Sequence, residues 1–474
     1  MIFSKEELSE IFKTKVEKNI DDICVDSREA KSGDLFIALK GENLDGHDFV
    51  KSAFENGAAL SLVQCKKCEN CDCGKNLVEV NSTYQGLLDL AKYNVARTNA
   101  KYIGVTGSIG KTTTKNLIYH LLSKFFPNEI YVTKKNFNSK IGLPICAACM
   151  GRNTKIGIFE MGMSAPGDIK NLLKIISPNI SVITHICETH LEFFNSVWDI
   201  AKAKSEIMET DIPQDAVIIP ADSAYTDFLK NKAKNSGAKN IFTFGFSKSD
   251  AQIISQKQFE DKTEIVANIF GKEIRYCVNC HNDSVIPNSL AAILAAHAAS
   301  KIDLQDLANE IAEFSSTDRR GEIFEKNGVT VIDDSYNACY TSVRSAIKSL
   351  AKYSGNKCSG DKYSENKCSG DKCSGRKILA IGDMKELGKR SRFFHENLAP
   401  TIDKFGVDLV FACGESAKYL FENLREEKRG GWYENSQKLS EDLVSKIRKG
   451  DKILVKGSNS MQMNKVVEAI GHAL

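Results

Sequence analysis

A lysine and two threonines directly follow a glycine-rich turn at residues 107–113, which read GSIGKTT. Glycine allows backbone N–H groups to close around a phosphate, and the positive end of the following helix attracts the same anion. Lys111 is expected to reach the outer phosphates of a nucleotide, and Thr112 to ligate Mg²⁺. Because Val105 stands where the general pattern has glycine, an ordinary glycine-rich turn is the alternative. The predicted phosphate loop comprises Thr106, Gly107, Ser108, Ile109, Gly110, Lys111, Thr112 and Thr113.

Two more candidate ligands stand at the ends of apolar runs. Glu160 ends the run KIGIFE, and His190 follows the run SVITHI. Ligands of parallel sheets bind at the carboxyl ends of the strands, so both side chains are expected near the phosphates. A metal ion at the nucleotide is therefore predicted, although a kinase or a GTPase would fit the phosphate loop equally well.

Two lysines in the run SVWDIAKAKSEIM are predicted to lie on opposite sides of a helix. Lys202 and Lys204 are two residues apart, which on a helix turns them by about 200°. Lys204 lies on the apolar stripe with Ile200 and Ile207, so we expect it to be buried. A buried lysine tends to lose its charge, and a neutral amine reacts with CO₂. A lysine whose ammonium group reaches solvent along the helix surface is the alternative.

The surrounding elements predict three α/β domains. Residues 1–98 alternate short strands with turns, whereas residues 99–315 alternate strands and helices in the manner of a mainly parallel sheet. Residues 316–474 repeat that alternation, which predicts a smaller, doubly wound domain resembling the Rossmann fold. The expected architecture is thus a small N-terminal α/β domain, a central phosphate-loop domain and a C-terminal Rossmann-like domain.

Composition favours small-molecule partners in a cytoplasmic protein. A formal net charge of +3 over 474 residues provides no strong field for nucleic acid or for an anionic membrane. No apolar run is long enough to span a membrane, and the acidic residues near the N-terminus are unlike a signal peptide. We expect no integral membrane association, no nucleic acid partner and a monomer.

The chain has fifteen cysteines, an odd number, which fits a reducing compartment better than a set of disulfides.

YSGNKCSGDK at 353–362 recurs as YSENKCSGDK at 363–372, and the composition of this repeat predicts a mobile surface loop over 353–376. Its cysteines could instead bind a metal. The run CKKCENCDC raises the same question, because CxxC spacing is known from zinc sites, whereas an ordinary loop is the favoured interpretation. Its four cysteines are Cys65, Cys68, Cys71 and Cys73.

Taken together, the motifs resemble those of the Mur ligase family. They are TGSIGKTT, Asn136-Phe-Asn138, Glu160-Met-Gly, THLE and AKAKSEI. The N-terminal DSREAKSGDLFIALKGENLDGHDF resembles the family domain that holds the uridine diphosphate of the substrate. IDDSYNA at 332–338 and GDMKELG at 382–388 are typical of the branch that joins D-alanyl-D-alanine to UDP-N-acetylmuramoyl-tripeptide.

The resemblance implies ATP and two Mg²⁺ ions as cofactors. Thr112 would hold the first ion, and carbamylated Lys204 would hold the second together with Glu160 and His190. The expected catalytic residues are Lys111, Glu160, His190 and Lys204. By the same resemblance, other residues would contact the substrates: Asn288, Arg320 and Asp334 with ATP, and Ser27, Arg28 and Asn138 with the sugar nucleotide. Taken singly, Asp334 could be a turn residue and Asn288 a helix cap.

The reaction implied by the resemblance passes through an acyl phosphate. The partners would be UDP-N-acetylmuramoyl-tripeptide and D-alanyl-D-alanine, in peptidoglycan precursor synthesis. The chain departs from the family pattern at Cys339-Tyr340, where Asn-Pro is usual, and at Asn459, where arginine is usual. Two interpretations compete with this one. The first is a ligase of the folylpolyglutamate or cyanophycin type, and the second is a nucleotide-binding regulator without turnover.

Overall fold

Three separate sheets form the framework of the protein. The computed structural model describes residues 1–64, 76–134, 136–259, 262–279, 285–315, 319–352 and 375–474. Within these residues the sheets are mainly parallel and are packed against helices, which confirms the predicted α/β class. The domain boundaries at residues 98 and 315 stay predictions.

Two predicted features lie wholly or mainly outside the described residues. They are the four clustered cysteines, Cys65, Cys68, Cys71 and Cys73, and the repeat loop at 353–376. Only the end of that loop is described, where Arg376 forms an ion pair with Asp451 at 2.6 Å. The predictions for both segments therefore stay predictions.

The first sheet contains four parallel strands in sequence order. Its apolar runs LSLVQ and LVEV form the last two strands. The elements are β1 (Asp22–Cys24), β2 (Asp34–Ile37), β3 (Leu60–Gln64) and β4 (Leu77–Val80), with α1 (Lys5–Phe12), α2 (Val50–Glu55) and α3 (Thr83–Arg97).

The second sheet contains nine strands, in the order β13-β12-β11-β10-β9-β8-β5-β7-β6. Pairing is parallel from β6 to β11 and antiparallel through β12 and β13. The strands are β5 (Lys101–Thr106), β6 (Ile130–Val132), β7 (Ile156–Glu160), β8 (Ile180–Ile183), β9 (Ala216–Pro220), β10 (Ile241–Gly245), β11 (Ala251–Gln258), β12 (Thr263–Ile269) and β13 (Lys272–Val278). The helices are α4 (Lys111–Ser123), α5 (Gly142–Ala148), α6 (Asp168–Leu173), α7 (Val197–Ser205), α8 (Thr226–Asn235), α9 (Val285–Ser300) and α10 (Leu304–Glu310).

The third sheet contains six strands in the order β14-β15-β19-β16-β17-β18, and only the pair β14 and β15 is antiparallel. The strands are β14 (Glu322–Lys326), β15 (Val329–Asp334), β16 (Lys377–Gly382), β17 (Leu409–Cys413), β18 (Arg429–Tyr433) and β19 (Lys452–Lys456). The helices are α11 (Tyr340–Ala351), α12 (Ser391–Glu396), α13 (Ala399–Lys404), α14 (Ala417–Glu422), α15 (Ser436–Lys446) and α16 (Asn464–Ala473).

A buried asparagine joins the first domain to the second. The Asn94 side chain on α3 donates hydrogen bonds to the carbonyls of Ala147, Ala148 and Met150 at 2.8 to 3.0 Å. Ala147 and Ala148 end α5, where a helix leaves its last carbonyls without intrahelical partners, and Met150 follows two residues later. Asn94 therefore supplies donors that α5 lacks and fixes α3 against the central domain.

Central strands β5, β7 and β8 bring the predicted site residues to one edge. They are adjacent, parallel and almost wholly buried, so their carboxyl ends lie side by side. The phosphate loop, Glu160 and the segment leading to His190 leave the sheet there. Among the described residues, no helix combines the length and the apolar character required to cross a membrane.

Candidate active site

The phosphate loop has the backbone that the glycines predict. Gly107 and Gly110 have φ of +154° and +85°, which side-chain-bearing residues rarely adopt. A Cβ at Gly110 would lie 2.7 Å from Nδ2 of Asn288. The ammonium group of Lys111 donates to the carbonyls of Gly107 at 2.7 Å and Ser108 at 3.3 Å. Burial lowers the pKa of Lys111, although Glu160 opposes the shift. The phosphate loop therefore encloses a positive group at the start of α4.

Beside the phosphate loop, Glu160 is bound from two sides. The hydroxyl of Thr112 donates to its Oε2 at 2.8 Å, and Nδ2 of Asn138 donates to its Oε1 at 2.7 Å. Hydroxyl and carboxylate oxygens are the ligands that Mg²⁺ prefers, so Thr112 and Glu160 fit a magnesium site. Asn138 was expected near the sugar nucleotide, and that role stays a prediction.

A buried lysine that sequence reasoning missed also faces Glu160. Lys115 is 2 % exposed, as is Glu160, and its Nζ lies 3.8 Å from Oε2 of Glu160. The same nitrogen donates to the carbonyl of Thr133 at 2.9 Å. Lys115 is one helical turn beyond Lys111 in GKTTTK, a position at which α4 faces the sheet, and this spacing was the available signal.

His190 faces the third domain. Its Nδ1 lies 2.5 Å from Oε2 of Glu386, in the loop between β16 and α12. Both residues have positive φ, 57° and 62°. The close contact with His190 lowers the pKa of Glu386, which keeps this carboxylate charged. The motif GDMKELG contained Glu386, but nothing in the sequence indicated its partner.

The prediction for Lys204 and Lys202 is confirmed as regards their exposure. Lys204 is 1 % exposed on α7, whereas the side chain of Lys202 is 54 % exposed and lies 3.3 Å from Asp199. Burial lowers the pKa of Lys204 well below its usual value, and the positive charge of Lys111 adds to the shift. Among the described residues, none accepts a hydrogen bond from Nζ of Lys204. A neutral amine is therefore favoured at this position.

Residues predicted to contact ATP come from two domains and lie around the same cavity as the phosphate loop. Asn288 on α9 is buried against Gly110. At the end of β15, Oδ2 of Asp334 lies 2.6 Å from Nζ of Lys456. Burial raises the pKa of Asp334, and Lys456 opposes the shift. The guanidinium of Arg320 lies 3.7 Å from the centre of the Tyr336 ring. Lys456 and Tyr336 were not predicted as site residues.

Most of these residues line one cavity of about 1390 Å³. The N-terminal, central and C-terminal domains all contribute to its wall. The N-terminal domain supplies Glu42, Tyr84 and Lys92, none of which was predicted. A strand-turn-helix pattern does not show which exposed side chain faces a neighbouring domain. The predicted residues on the wall are Ser108, Ile109, Gly110, Lys111, Thr112, Thr113, Asn138, Glu160, His190, Asn288, Arg320 and Asp334.

Five other predicted residues lie off the cavity wall. Thr106 and Gly107 are the buried first residues of the phosphate loop, and Lys204 is buried close enough to Lys111 for the charge of Lys111 to affect its pKa. Ser27 is buried in the N-terminal domain, and Arg28 pairs with Asp26 at 2.6 Å. Their proposed contacts with the sugar nucleotide stay predictions.

The fold and the site define a class of protein, a three-domain enzyme with a phosphate-loop nucleotide site at the domain junction. Models of the Mur ligase family match all three parts of the chain: the family catalytic domain at residues 19–94, the middle domain at 105–296 and the glutamate ligase domain at 367–459. The chain belongs to the Mur ligase family.

Relatives and solved structures agree with this assignment. A UDP-N-acetylmuramoyl-tripeptide–D-alanyl-D-alanine ligase from Rickettsia prowazekii is 32% identical over 95% of each chain. MurF from Acinetobacter baumannii superimposes with a TM-score of 0.83, at 25% identity and over 99% of each chain. MurF ligase from Thermotoga maritima in complex with ADP gives a TM-score of 0.77 at 27% identity, over 95% of this chain and 97% of that one.

Proposed function

We propose that the chain joins D-alanyl-D-alanine to UDP-N-acetylmuramoyl-tripeptide at the expense of ATP, in peptidoglycan precursor synthesis. The observation that carries this proposal is the shared cavity, in which the phosphate loop and Glu160 face residues of the other two domains. The full-length match to ligases of that name supports the choice of substrates. The competing ligase types and the regulator without turnover are tested below.

The first step activates a carboxylate. The terminal carboxylate of the tripeptide attacks the γ-phosphate of ATP, so that a carbon–oxygen–phosphorus linkage forms and ADP leaves. Negative charge develops on the transferred phosphoryl group, and Lys111 would stabilise it. Thr112, Glu160, His190 and carbamylated Lys204 would hold two Mg²⁺ ions, which supply further charge neutralisation at the phosphates.

The second step forms the amide. The amine of D-alanyl-D-alanine attacks the acyl carbon, and inorganic phosphate leaves with the electrons of the broken carbon–oxygen bond. The acyl phosphate must be kept from water between the steps, and closure of the three domains around the site would do this. Both nucleotide substrates are intracellular metabolites, so we place the protein in the cytoplasm.

The test measures phosphate release and pentapeptide product by the purified protein with ATP and Mg²⁺. We expect release only when UDP-N-acetylmuramoyl-tripeptide and D-alanyl-D-alanine are present together, with one amide formed per phosphate. Release with folate and glutamate, or with an unrelated amine, would favour another ligase of the superfamily. ATP binding without turnover under every condition would favour the regulator.

A further inference from the structure

A second group of metal-binding side chains lies where the central and C-terminal domains meet. Cys187 and Glu188 follow strand β8, and Cys339 comes directly before helix α11. The two thiol sulfurs are 3.9 Å apart, although 152 residues separate them in the chain. One donor atom from each of the three residues lies within 4.8 Å of the other two. These three residues are called the thiol cluster below.

The spacing in the thiol cluster suits a tetrahedral metal ion. Two sulfurs bound to one zinc ion at about 2.3 Å are separated by about 3.8 Å. The measured separation of 3.9 Å therefore needs almost no movement for both thiolates to bind one ion. Both cysteines are buried, at 4 % and 6 % exposure. Three protein ligands leave a fourth position for water, a common zinc arrangement.

The backbone of the thiol cluster is held on both sides. Ser108 of the phosphate loop exchanges two hydrogen bonds with the backbone of Cys187, at 3.0 and 3.1 Å. The hydroxyl of Ser342 accepts from the backbone N–H of Cys339 at 3.0 Å. One carboxylate oxygen of Glu188 accepts from the N–H of Thr341 at 2.6 Å, which brings this side chain to the start of α11. The ligands are therefore already positioned across the domain junction.

Ligand chemistry separates this cluster from the magnesium site. Thr112 and Glu160 offer only oxygen atoms, whereas Cys187 and Cys339 offer sulfur. Thiolates select zinc-like ions over Mg²⁺, because soft ligands bind softer cations. Cys339 also lines the nucleotide cavity, which provides a path by which an ion can enter.

We propose that Cys187, Glu188 and Cys339 form a binding site for a divalent transition metal of the zinc class, which links the central and C-terminal domains. Neither the ligase reaction nor its magnesium ions require this site. Its occupancy would tie the loop after β8 to the start of α11 and so limit the separation of the two domains.

Cobalt titration tests the proposal, because Co²⁺ bound by thiolates absorbs in the near ultraviolet. The full chain is used in reduced, metal-free form, with the cysteines of the two other candidate metal-binding segments replaced by serine, since they could bind metal independently. These are Cys65, Cys68, Cys71, Cys73, Cys358, Cys368 and Cys373. We expect one equivalent of Co²⁺ to give thiolate charge-transfer absorption that excess Mg²⁺ does not remove and that Zn²⁺ abolishes.

Three variants assign the signal to the thiol cluster. Cys187→Ser and Cys339→Asn should each weaken Co²⁺ binding at least tenfold, and asparagine at 339 is the residue usual in the family. Cys146→Ser, a buried cysteine of the central domain, is the matched control and should leave the titration unchanged. Circular dichroism establishes that each variant is folded.

Three results would overturn the proposal. The first is the absence of charge-transfer absorption in the reduced protein. The second is a signal that persists in folded Cys187→Ser and Cys339→Asn. The third is a disulfide between Cys187 and Cys339, detected by mass spectrometry, that forms in the cell and persists without any bound metal.

Discussion

At the residue scale, the site depends on charged groups that the fold keeps away from water. Lys204, Lys115 and Glu160 are each no more than 2 % exposed. Burial penalises an isolated charge, so such groups become paired, neutral or chemically modified. Lys115 and Glu160 are close enough to pair, whereas burial and the positive charge of Lys111 lower the pKa of Lys204.

Replacing Lys204 by alanine should reduce ligase turnover at least about 100-fold, in line with the loss of a transition-state stabiliser. Added acetate should restore part of the rate, because it can occupy the position of the carbamate. Carbamate formation needs the neutral amine, whose fraction rises as the pH rises through the lowered pKa of Lys204. Initial rates with and without acetate and bicarbonate measure this.

The matched control is Lys202→Ala on the opposite side of α7, which should keep nearly full activity. Full activity of Lys204→Ala without acetate would remove the carbamate from the mechanism.

Replacing Lys115 by methionine should lower the free energy of unfolding by about 3 kcal/mol, because it leaves Glu160 buried without this cation. The double variant Lys115→Met with Glu160→Gln should recover part of the loss, since it removes the uncompensated charge. Urea unfolding followed by fluorescence measures both. Lys124→Met, directly after the last residue of α4, is the control: its ion pair with Glu313 is exposed, so the loss should be below about 1 kcal/mol. Equal losses at the two positions would contradict the buried pair.

At the element scale, the junctions between strands and helices position the chemistry. Strand β5 leads into the phosphate loop and α4, and β7 ends at Glu160. The adjacent parallel strands place both endings at one edge, as parallel α/β sheets generally do. The loop geometry then depends on glycines with positive φ.

Two glycines allow backbone strain to be separated from site geometry. Gly110 and Gly167 have almost equal φ, +85° and +87°, and each precedes a helix. A Cβ at Gly110 would lie 2.7 Å from Asn288, whereas a Cβ at Gly167 would meet nothing within 4 Å. Both alanine variants should lose about 1 kcal/mol of stability from the strained backbone. Only Gly110→Ala should also weaken binding of an ATP analogue, by roughly tenfold or more.

Calorimetry with the ATP analogue and thermal unfolding measure the two effects. Equal affinity for the analogue in both variants would show that the contact between Gly110 and Asn288 does not shape the site.

At the scale of the whole molecule, contacts between the central and C-terminal domains surround the nucleotide site. The N–H of Glu192 donates to the carbonyl of Glu386 at 2.9 Å, and the N–H of Thr341 donates to Glu188. Both of these contacts are hydrogen bonds, and relative motion is the usual expectation for domains of one chain. Ligands that bridge the domains should favour the closed arrangement.

Small-angle X-ray scattering tests this movement. An ATP analogue with UDP-N-acetylmuramoyl-tripeptide should reduce the radius of gyration, because each ligand is expected to contact more than one domain when the domains are closed. Lys111→Ala should show little change under the same conditions, since it lacks the cation that holds the phosphates. Identical profiles of the unaltered protein with and without ligands would rule out the closure.

Short-range patterns in the sequence predicted the α/β class and much of the candidate site. Glycine content indicated the phosphate loop, and helical periodicity indicated that Lys204 is buried and Lys202 exposed. Alternation of strands and helices placed Glu160 at a strand end. Each of these properties arises within one element, where backbone geometry relates spacing in the chain directly to direction in space.

Tertiary structure alone decided which side chains meet. Asn138 binds Glu160, His190 faces Glu386, and Cys187 approaches Cys339 across 152 residues of the chain. Such pairs depend on strand order and on the packing of separate domains, neither of which leaves a periodic signal in the sequence. The sequence by itself therefore determined the elements and most of the phosphate chemistry. The arrangement of the sheets determined the partners, because long-range contacts form only when the domains pack together.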